Sequence, residues 1–331
     1  MKTEGKDPAL EKKEKKQAQQ AQEQNTFEKY CWLWFEMRSK RLSEKYAHDL
    51  QHQIKRLIIP ALGHIPIEKI TPPTVMNLLN DLSNKGLGDT TRRTLQRINA
   101  IMNYAVQIGA LSINPILSLT GIVVIPPTKH QLALREDELT EFFKRLITVN
   151  ARAQTKIAML ITILTFVRVG SLRQVEWKEI DFDQKTWTIP AEKFKGGAMS
   201  LIVPLSDWVL SLFRELRTLD KQETGYIFYN CYDSTKYMSE NALSYLMGRM
   251  GYHGIATPHG FRSLATDILN EKSNFSPDII ERQLGHIERN SVRRAYHRTE
   301  YMPARIEMME WYSLYIRKYY DEACHLKKPI L

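Results

Sequence analysis

The chain has 331 residues, 43% of them hydrophobic and 25% charged, a composition ordinary for a globular protein and a length sufficient for more than one core. Lysine and arginine number 47 against 37 acidic residues, a formal charge of +10, which suits a polyanionic partner because neutralised phosphates release counterions. No uninterrupted apolar run approaches the ~20 residues of a membrane helix, the N-terminus lacks the apolar stretch of a secretory signal, and the three cysteines, Cys31, Cys231 and Cys324, are too scattered for a disulfide framework or a metal pair. These features argue against membrane and secreted classes, and the expected location is cytoplasmic.

Residues 1–25 are rich in Ala, Glu, Lys and Gln and read as a charged leader, either a solvated helix or disordered. Over 26–120 the periodicity is helical. Phe27, Tyr30, Cys31 and Trp34 recur at helical spacing, as do Leu50, Ile54 and Ile58, and Thr71-Pro72 marks a helix start. In the helix predicted over about 89–109, Leu95, Ile98, Ile101, Met102 and Ala105 gather on one side. Arg92, Arg93, Gln96, Arg97, Asn103 and Gln107 gather on the other. Such a face is ordinarily just solvated; on a basic chain, Arg92, Arg93 and Arg97 are candidates for DNA phosphate contacts.

Residues 121–133 carry a Pro-Pro pair and no helical period, so they read as an interdomain linker. A second domain is expected over 134–320, with helices at 136–149 and 153–166. A strand pair follows at 186–189 and 201–203, around a loop containing Gly196-Gly197. Further helices are predicted at 206–218, 239–249, 259–271, 277–284, 291–299 and 303–319, with a tail at 321–331. The expected fold class is mainly α with a small β-sheet.

Four stretches carry chemistry. In Thr165-Phe166-Val167-Arg168-Val169-Gly170-Ser171-Leu172 an apolar helix runs into an arginine and then a glycine. Arg168 thus sits at the buried end of a core helix, where an unpaired guanidinium is costly. An anion should meet it: ordinarily an internal carboxylate, functionally a phosphate. Lys195 lies in the loop of the predicted hairpin, where a lysine is normally only solvated, and Lys193 is its rival. In Thr257-Pro258-His259-Gly260-Phe261-Arg262 the Thr-Pro pair opens a helix, so His259 and Arg262 fall on its first turn, beside free N–H groups suited to a phosphate. The spacing is not distinctive, since His286 and Arg289 repeat it. Last, Leu284-Gly285-His286 precedes a helix in which Val292, Ala295 and Tyr296 share an inward face. Taken alone, Tyr296 is one of fifteen tyrosines, with a core position as its ordinary reading.

Together, and in this order, the four supply what transesterification at a phosphodiester requires. Two arginines clamp nonbridging oxygens and hold the charge of the transition state. A lysine protonates a departing 5′-oxygen, and histidines donate hydrogen bonds or move the nucleophile's proton. A tyrosine hydroxyl, with a pKa near ~10, costs ~4 kcal/mol to ionise fully at neutral pH, which a base and nearby cations must offset. The chemistry needs no metal or other cofactor, and the chain has no ATP-binding Gly-x-x-x-x-Gly-Lys-Ser/Thr loop.

On these residues the sequence resembles the tyrosine recombinases, or phage-type integrases, and among them the branch of satellite phages and genomic islands. T-F-V-R-V-G-S-L, I-P-A-E-K-F-K, V-P-L-S, H-G-F-R, L-G-H-I-E-R-N and R-R-A-Y-H-R carry the resemblance, which covers about residues 26–317. It implies that Arg168, His259 and Arg262 bind and activate the scissile phosphate, that Lys195 is the general acid and that His286 is a further phosphate ligand. Tyr296 is implied as the nucleophile of a 3′-phosphotyrosine, with Tyr301 the nearest competitor. The implied fold is a two-domain clamp of a helical core-binding domain and a mixed α/β catalytic domain. The implied function is site-specific integration or excision of a mobile element. The implied partners are double-stranded DNA attachment sites, a homotetramer on synapsed DNA and accessory DNA-bending proteins, with a helix around Trp311 to Tyr319 exchanged between protomers.

Two departures stand out. Ser171 occupies a position where the family usually has an acid, with Glu176 as a candidate substitute. The segment Gly5-Lys-Asp-Pro-Ala-Leu resembles the one that ordinarily comes after an N-terminal arm-binding domain in that branch. The competing readings are a catalytically silent DNA-binding relic and a type IB topoisomerase.

Overall fold

The helical periods of the N-terminal part build one compact unit within residues 1–129, and the remainder builds a second within 130–331. The computed structural model describes residues 25–119, 132–194, 200–219, 224–285 and 300–326. Nearly all of the expected leader, most of the Pro-Pro stretch and the 291–299 helix lie outside these residues.

In the first unit, α1 (Phe27–Ser39) starts where the Thr26 hydroxyl accepts the Lys29 N–H, and it buries Phe27, Tyr30, Cys31 and Trp34 as its spacing predicts. Helix α2 (Glu44–Gln53), capped by Ser43, passes through a π-turn at Ile54–Ile58 into the short α3 (Ile59–Leu62). Helix α4 (Pro72–Asn84) opens on the proline that marks it in the sequence; the missing N–H there would have had no helical partner anyway. Helix α5 (Gly88–Gln107) buries Leu95, Ile98, Ile101, Met102 and Ala105, together with Thr91 and Thr94. Thr91 fits because its hydroxyl donates to the Leu87 carbonyl at 2.9 Å. These side chains share one core with Phe27, Leu50, Ile54 and Ile58.

In the second unit, β1 (Ile180–Asp181), β2 (Thr186–Ile189) and β3 (Leu201–Pro204) form an antiparallel sheet in sequence order. The predicted pair is present. The added β1 spans two residues, too few for alternation to show in sequence. Trp187, central in β2, pairs with Ile180 on one side and Val203 on the other and is fully buried.

The helices of this unit are α6 (Leu139–Thr148), α7 (Ala153–Thr165), α8 (Val169–Leu172), α9 (Asp207–Leu219) and α10 (Ala242–Arg249), then α11 (Gly260–Lys272), α12 (Pro277–Gln283) and α13 (Met302–His325). Every residue of α7 from Ile157 to Thr165 is buried, as befits a helix apolar on all sides. Helix α13 continues past the expected end to His325 and packs along α6, burying Met308, Met309, Tyr312, Ile316 and Ala323. In the single chain the helix is a wall of its own unit's core. No described helix is long and apolar enough to cross a membrane.

Candidate active site

Arg168 owes its position to a strained turn. Helix α7 ends at Phe166, which is buried and held at φ 40°, ψ 31°, a left-handed conformation unusual for a bulky residue. The Phe166 ring is locked edge-on against Tyr312, 5.3 Å between centroids. Two residues later the chain restarts as α8 with Arg168 at its N-cap. The Arg168 guanidinium lies over the Phe194 ring, 5.0 Å from its centroid, and burial pushes its pKa below the ordinary value. Its Nη1 is buried without a hydrogen-bond partner among the described residues. No described carboxylate takes the place of the internal salt bridge that is ordinary for such an arginine.

Arg262 lies in the first turn of α11, buried, while His259 is exposed at the N-cap. The helix opens at Gly260 rather than at Thr257-Pro258, and the Thr257 hydroxyl accepts the Gly260 N–H at 3.2 Å. Gly260 itself is required by close approach: a Cβ there would lie 2.4 Å from the Leu132 carbonyl oxygen. Arg262 Nη1 donates to the Phe166 carbonyl, and Nη2 donates to the Leu284 carbonyl at 2.8 Å. The guanidinium thus ties the chain two residues before Arg168 to the chain two residues before His286. Burial first, then the adjacent Arg168 charge, pulls Arg262 down to about 10, with Glu281 opposing. Both arginines remain cationic at neutral pH, and two such charges side by side in a partly dry site favour an anion between them.

Of the two rival lysines between β2 and β3, Lys193 is the described one. Lys193 Nζ donates to Glu176 Oε1 at 2.6 Å, to Glu179 Oε1 and to the Gln174 carbonyl at 2.8 Å, with 12% of its side chain exposed. Burial would lower its pKa, yet the hydrogen bonds to Glu176 and Glu179 outweigh it and hold the ammonium above the ordinary value. A lysine held this firmly is a poor proton donor. Glu176 is likewise taken up by Lys193 and by Lys178 at 2.8 Å. Ser171 instead donates to the Lys193 carbonyl at 3.0 Å, bracing the hairpin beside Phe194. Lys195, His286 and Tyr296 lie outside the described residues. Phe194 and Gly285, which precede the first two, are in contact.

Sequence reasoning missed Arg305 and Gln283. Arg305 is fully buried on α13, and its Nε and Nη2 donate to Gln283 Oε1 at 3.0 and 2.7 Å. The signal was available: Arg305 falls on the same helical face as Met308, Met309, Tyr312 and Ile316, and a charge on an apolar face asks for a partner.

In the first unit, Arg93, Gln96 and Arg97 of α5 line a surface groove of about 300 Å³ with Trp34, Arg38 and Tyr46. Arg97 donates to Gln53, while Arg92 and Arg93 share the Asp89 carboxylate, Arg93 at 2.7 Å. Asn103 accepts a bond from Asn114 at 2.7 Å, a structural use of that face.

The model of the phage integrase family matches residues 133–302, and that of the phage integrase central domain matches 27–122. Prophage integrase IntA of Escherichia coli K12 is 31% identical over 307 residues, 93% of this chain and 74% of that protein. The integrase of Enterobacteria phage P4 is 34% identical over 305 residues, 88% of this chain and 69% of that protein. Among solved structures, a lambda integrase tetramer bound to a Holliday junction superposes with a TM-score of 0.66 at 18% identity, covering 80% of this chain and 79% of that one. The Tn1549 transposon integrase in complex with circular intermediate DNA gives 0.63 at 17% identity, covering 84% and 98%.

Proposed function

The chain belongs to the phage integrase family and is a site-specific recombinase of the tyrosine type; on that premise we propose that Tyr296 attacks a DNA phosphate held by Arg168 and Arg262 and becomes its 3′-phosphotyrosine. The observation that carries this reading is the Arg168–Arg262 pair: two adjacent guanidinium groups, the first with a buried nitrogen that has no partner among the described residues. A scissile phosphate would give Arg168 the anion that no described carboxylate supplies.

In the proposed reaction the tyrosyl oxygen forms a bond to phosphorus and the bond to the 5′-oxygen breaks. His259 or His286 takes the tyrosyl proton as base, Lys195 gives the departing oxygen its proton, and the histidines also donate hydrogen bonds to the nonbridging oxygens. The bond energy is kept in the phosphotyrosine, so the reverse attack by a 5′-hydroxyl reseals the strand without ATP or another cofactor. The partners we propose are double-stranded attachment sites and three further copies of the chain at a synapse, in keeping with the DNA-bound and tetrameric states of the lambda integrase. DNA-bending accessory proteins would assist, and Arg92, Arg93 and Arg97 would contact phosphates. The outcome is integration or excision of a mobile element. A silent DNA-binding relic and a type IB topoisomerase are not favoured by the family.

The test is a nicked duplex drawn from the DNA flanking the gene, which lets the cut strand diffuse away. The chain should form an adduct that resists denaturant and yields to protease. Tyr296→Phe should bind the duplex and form none. An adduct that survives Tyr296→Phe and disappears in Tyr301→Phe would move the nucleophile to Tyr301.

A further inference from the structure

The buried Arg305 touches the flanks of several segments that carry the proposed chemistry. Its Nη2 donates to the Ile202 carbonyl at 2.6 Å, on the strand that follows the Lys195 loop. Nε and Nη2 both reach Gln283 Oε1, three residues before His286. Nη1 faces Glu300, four residues after Tyr296, with its carbonyl at 3.4 Å and its carboxylate at 3.6 Å. Gln283 extends the chain of bonds by donating to the Thr165 carbonyl at 3.4 Å, three residues before Arg168. Glu300 extends it the other way by accepting both Nε and Nη2 of Arg282.

Docking α13 does not require this. The helix already buries Met308, Met309, Tyr312 and Ile316, and a well-packed apolar residue at such a site stabilises a fold at least as well as a buried ion. What an arginine adds is direction. Its planar fork holds several acceptors at fixed angles to one another, whereas an apolar side chain tolerates sliding. Ile202, Gln283 and Glu300 are thereby held in one mutual register.

We propose that Arg305 is a positioning residue for strand cleavage, fixing through Ile202, Gln283 and Glu300 the register among the segments bearing Lys195, His286 and Tyr296. Its partners among the described residues are Ile202, Gln283 and Glu300, and it acts on the geometry of the reacting groups through them. The inference rests on the assignment of Tyr296 as nucleophile. Misplacing a reacting group by about 1 Å can cost about 100-fold in rate, which sets the size of the effect.

The experiment measures adduct formation at saturating nicked duplex for the full-length chain, alongside duplex affinity and thermal midpoint. Arg305→Met should lower the cleavage rate by about 10- to 100-fold while the Kd for the duplex stays within about twofold. Arg305→Lys, which keeps the charge but loses the fork, should fall between. Glu300→Gln provides a second variant, since its side chain is partly exposed and its replacement keeps volume and one of the two acceptor oxygens; it should slow cleavage about tenfold with the midpoint lowered by only a few degrees. Should Arg305→Met fail to fold, Glu300→Gln decides. Wild-type rates in every folded variant overturn the positioning role alone. A wild-type chain that binds the duplex and forms no adduct overturns the nucleophile assignment, and the positioning role with it.

Discussion

Gly285 lies against the ring of Phe194 so closely that a Cβ on it would stand 2.5 Å from the ring edge. Its backbone also holds φ +62°, which an L side chain adopts at a cost of about 1–2 kcal/mol. Phe194 in turn lies under the Arg168 guanidinium. One glycine therefore lets the end of α12 seat beneath the hairpin residue that steadies a proposed phosphate ligand. Gly285→Ala is expected to lower unfolding stability by about 3 kcal/mol, from backbone strain plus overpacking. Adding Phe194→Leu should recover the overpacking part and not the strain. Urea midpoints of the single and double variants read both, and a wild-type midpoint for Gly285→Ala would show that the contact relaxes freely.

Arg262, proposed above as a phosphate ligand, also braces two carbonyls, those of Phe166 and Leu284. Lysine keeps the charge and loses the fork. Arg262→Lys should therefore cost about 2–3 kcal/mol of stability, the scale of a lost charge-assisted hydrogen bond. It should also lower cleavage about 100-fold, because Arg168 and the segment after Leu284 lose their common anchor. Urea titration and adduct yield together check it. A variant that cleaves normally while destabilised would leave Arg262 a purely structural brace.

The two lysines of the hairpin should separate cleanly. Lys195→Met is expected to abolish most cleavage of an ordinary duplex. Cleavage should return on a duplex whose 5′-bridging oxygen is sulfur, since a departing thiolate needs no proton. Failure of the sulfur substrate to restore Lys195→Met would remove the general-acid role.

Lys193→Met should act on stability instead, costing about 3 kcal/mol by leaving buried carboxylates unpaired. The Lys193 pKa is raised above 10.5, so its contribution is complete below that value and fades as pH climbs through the folded value. Glu176 is lowered from 4.5 by its hydrogen bonds to Lys178 and Lys193, so its contribution is complete above 4.5 and fades as pH falls through the folded value. The gap between wild type and Lys193→Met should stay level between those limits and shrink in acid. A gap in the urea midpoint that ignores pH down to about 2 would count against the ion pair.

On α5, Asp89 pairs with Arg92 and Arg93, so it would compete with DNA for the two arginines proposed to contact phosphates. Arg93→Gln and Arg97→Gln should each weaken duplex binding and reduce the slope of log affinity against log salt by about 0.9 for each phosphate no longer neutralised. Asp89→Asn should tighten binding by freeing both arginines and removing a repelling charge. Salt titrations of the three variants read the slopes; unchanged slopes in both arginine variants would take this face out of the DNA interface.

The sequence by itself determined the helices and which of their sides face inward: the buried residues of α1 and α5 are those their 3.6-residue period predicts, and α7 is apolar on every side because it runs through the core. It also singled out Arg168 and Arg262 by residue type and order. Only the tertiary structure decided that Lys193 is bound up with Glu176 and Glu179, that Ser171 braces the hairpin carbonyl, that α13 belongs to its own unit's core, and that Arg305 joins Ile202, Gln283 and Glu300. Periodicity and capping are local, reaching a few residues along the chain. Arg262 and Phe166 are 96 positions apart and Arg305 and Ile202 are 103 apart, and over such separations a donor acquires its acceptor only when the packed core brings the two together.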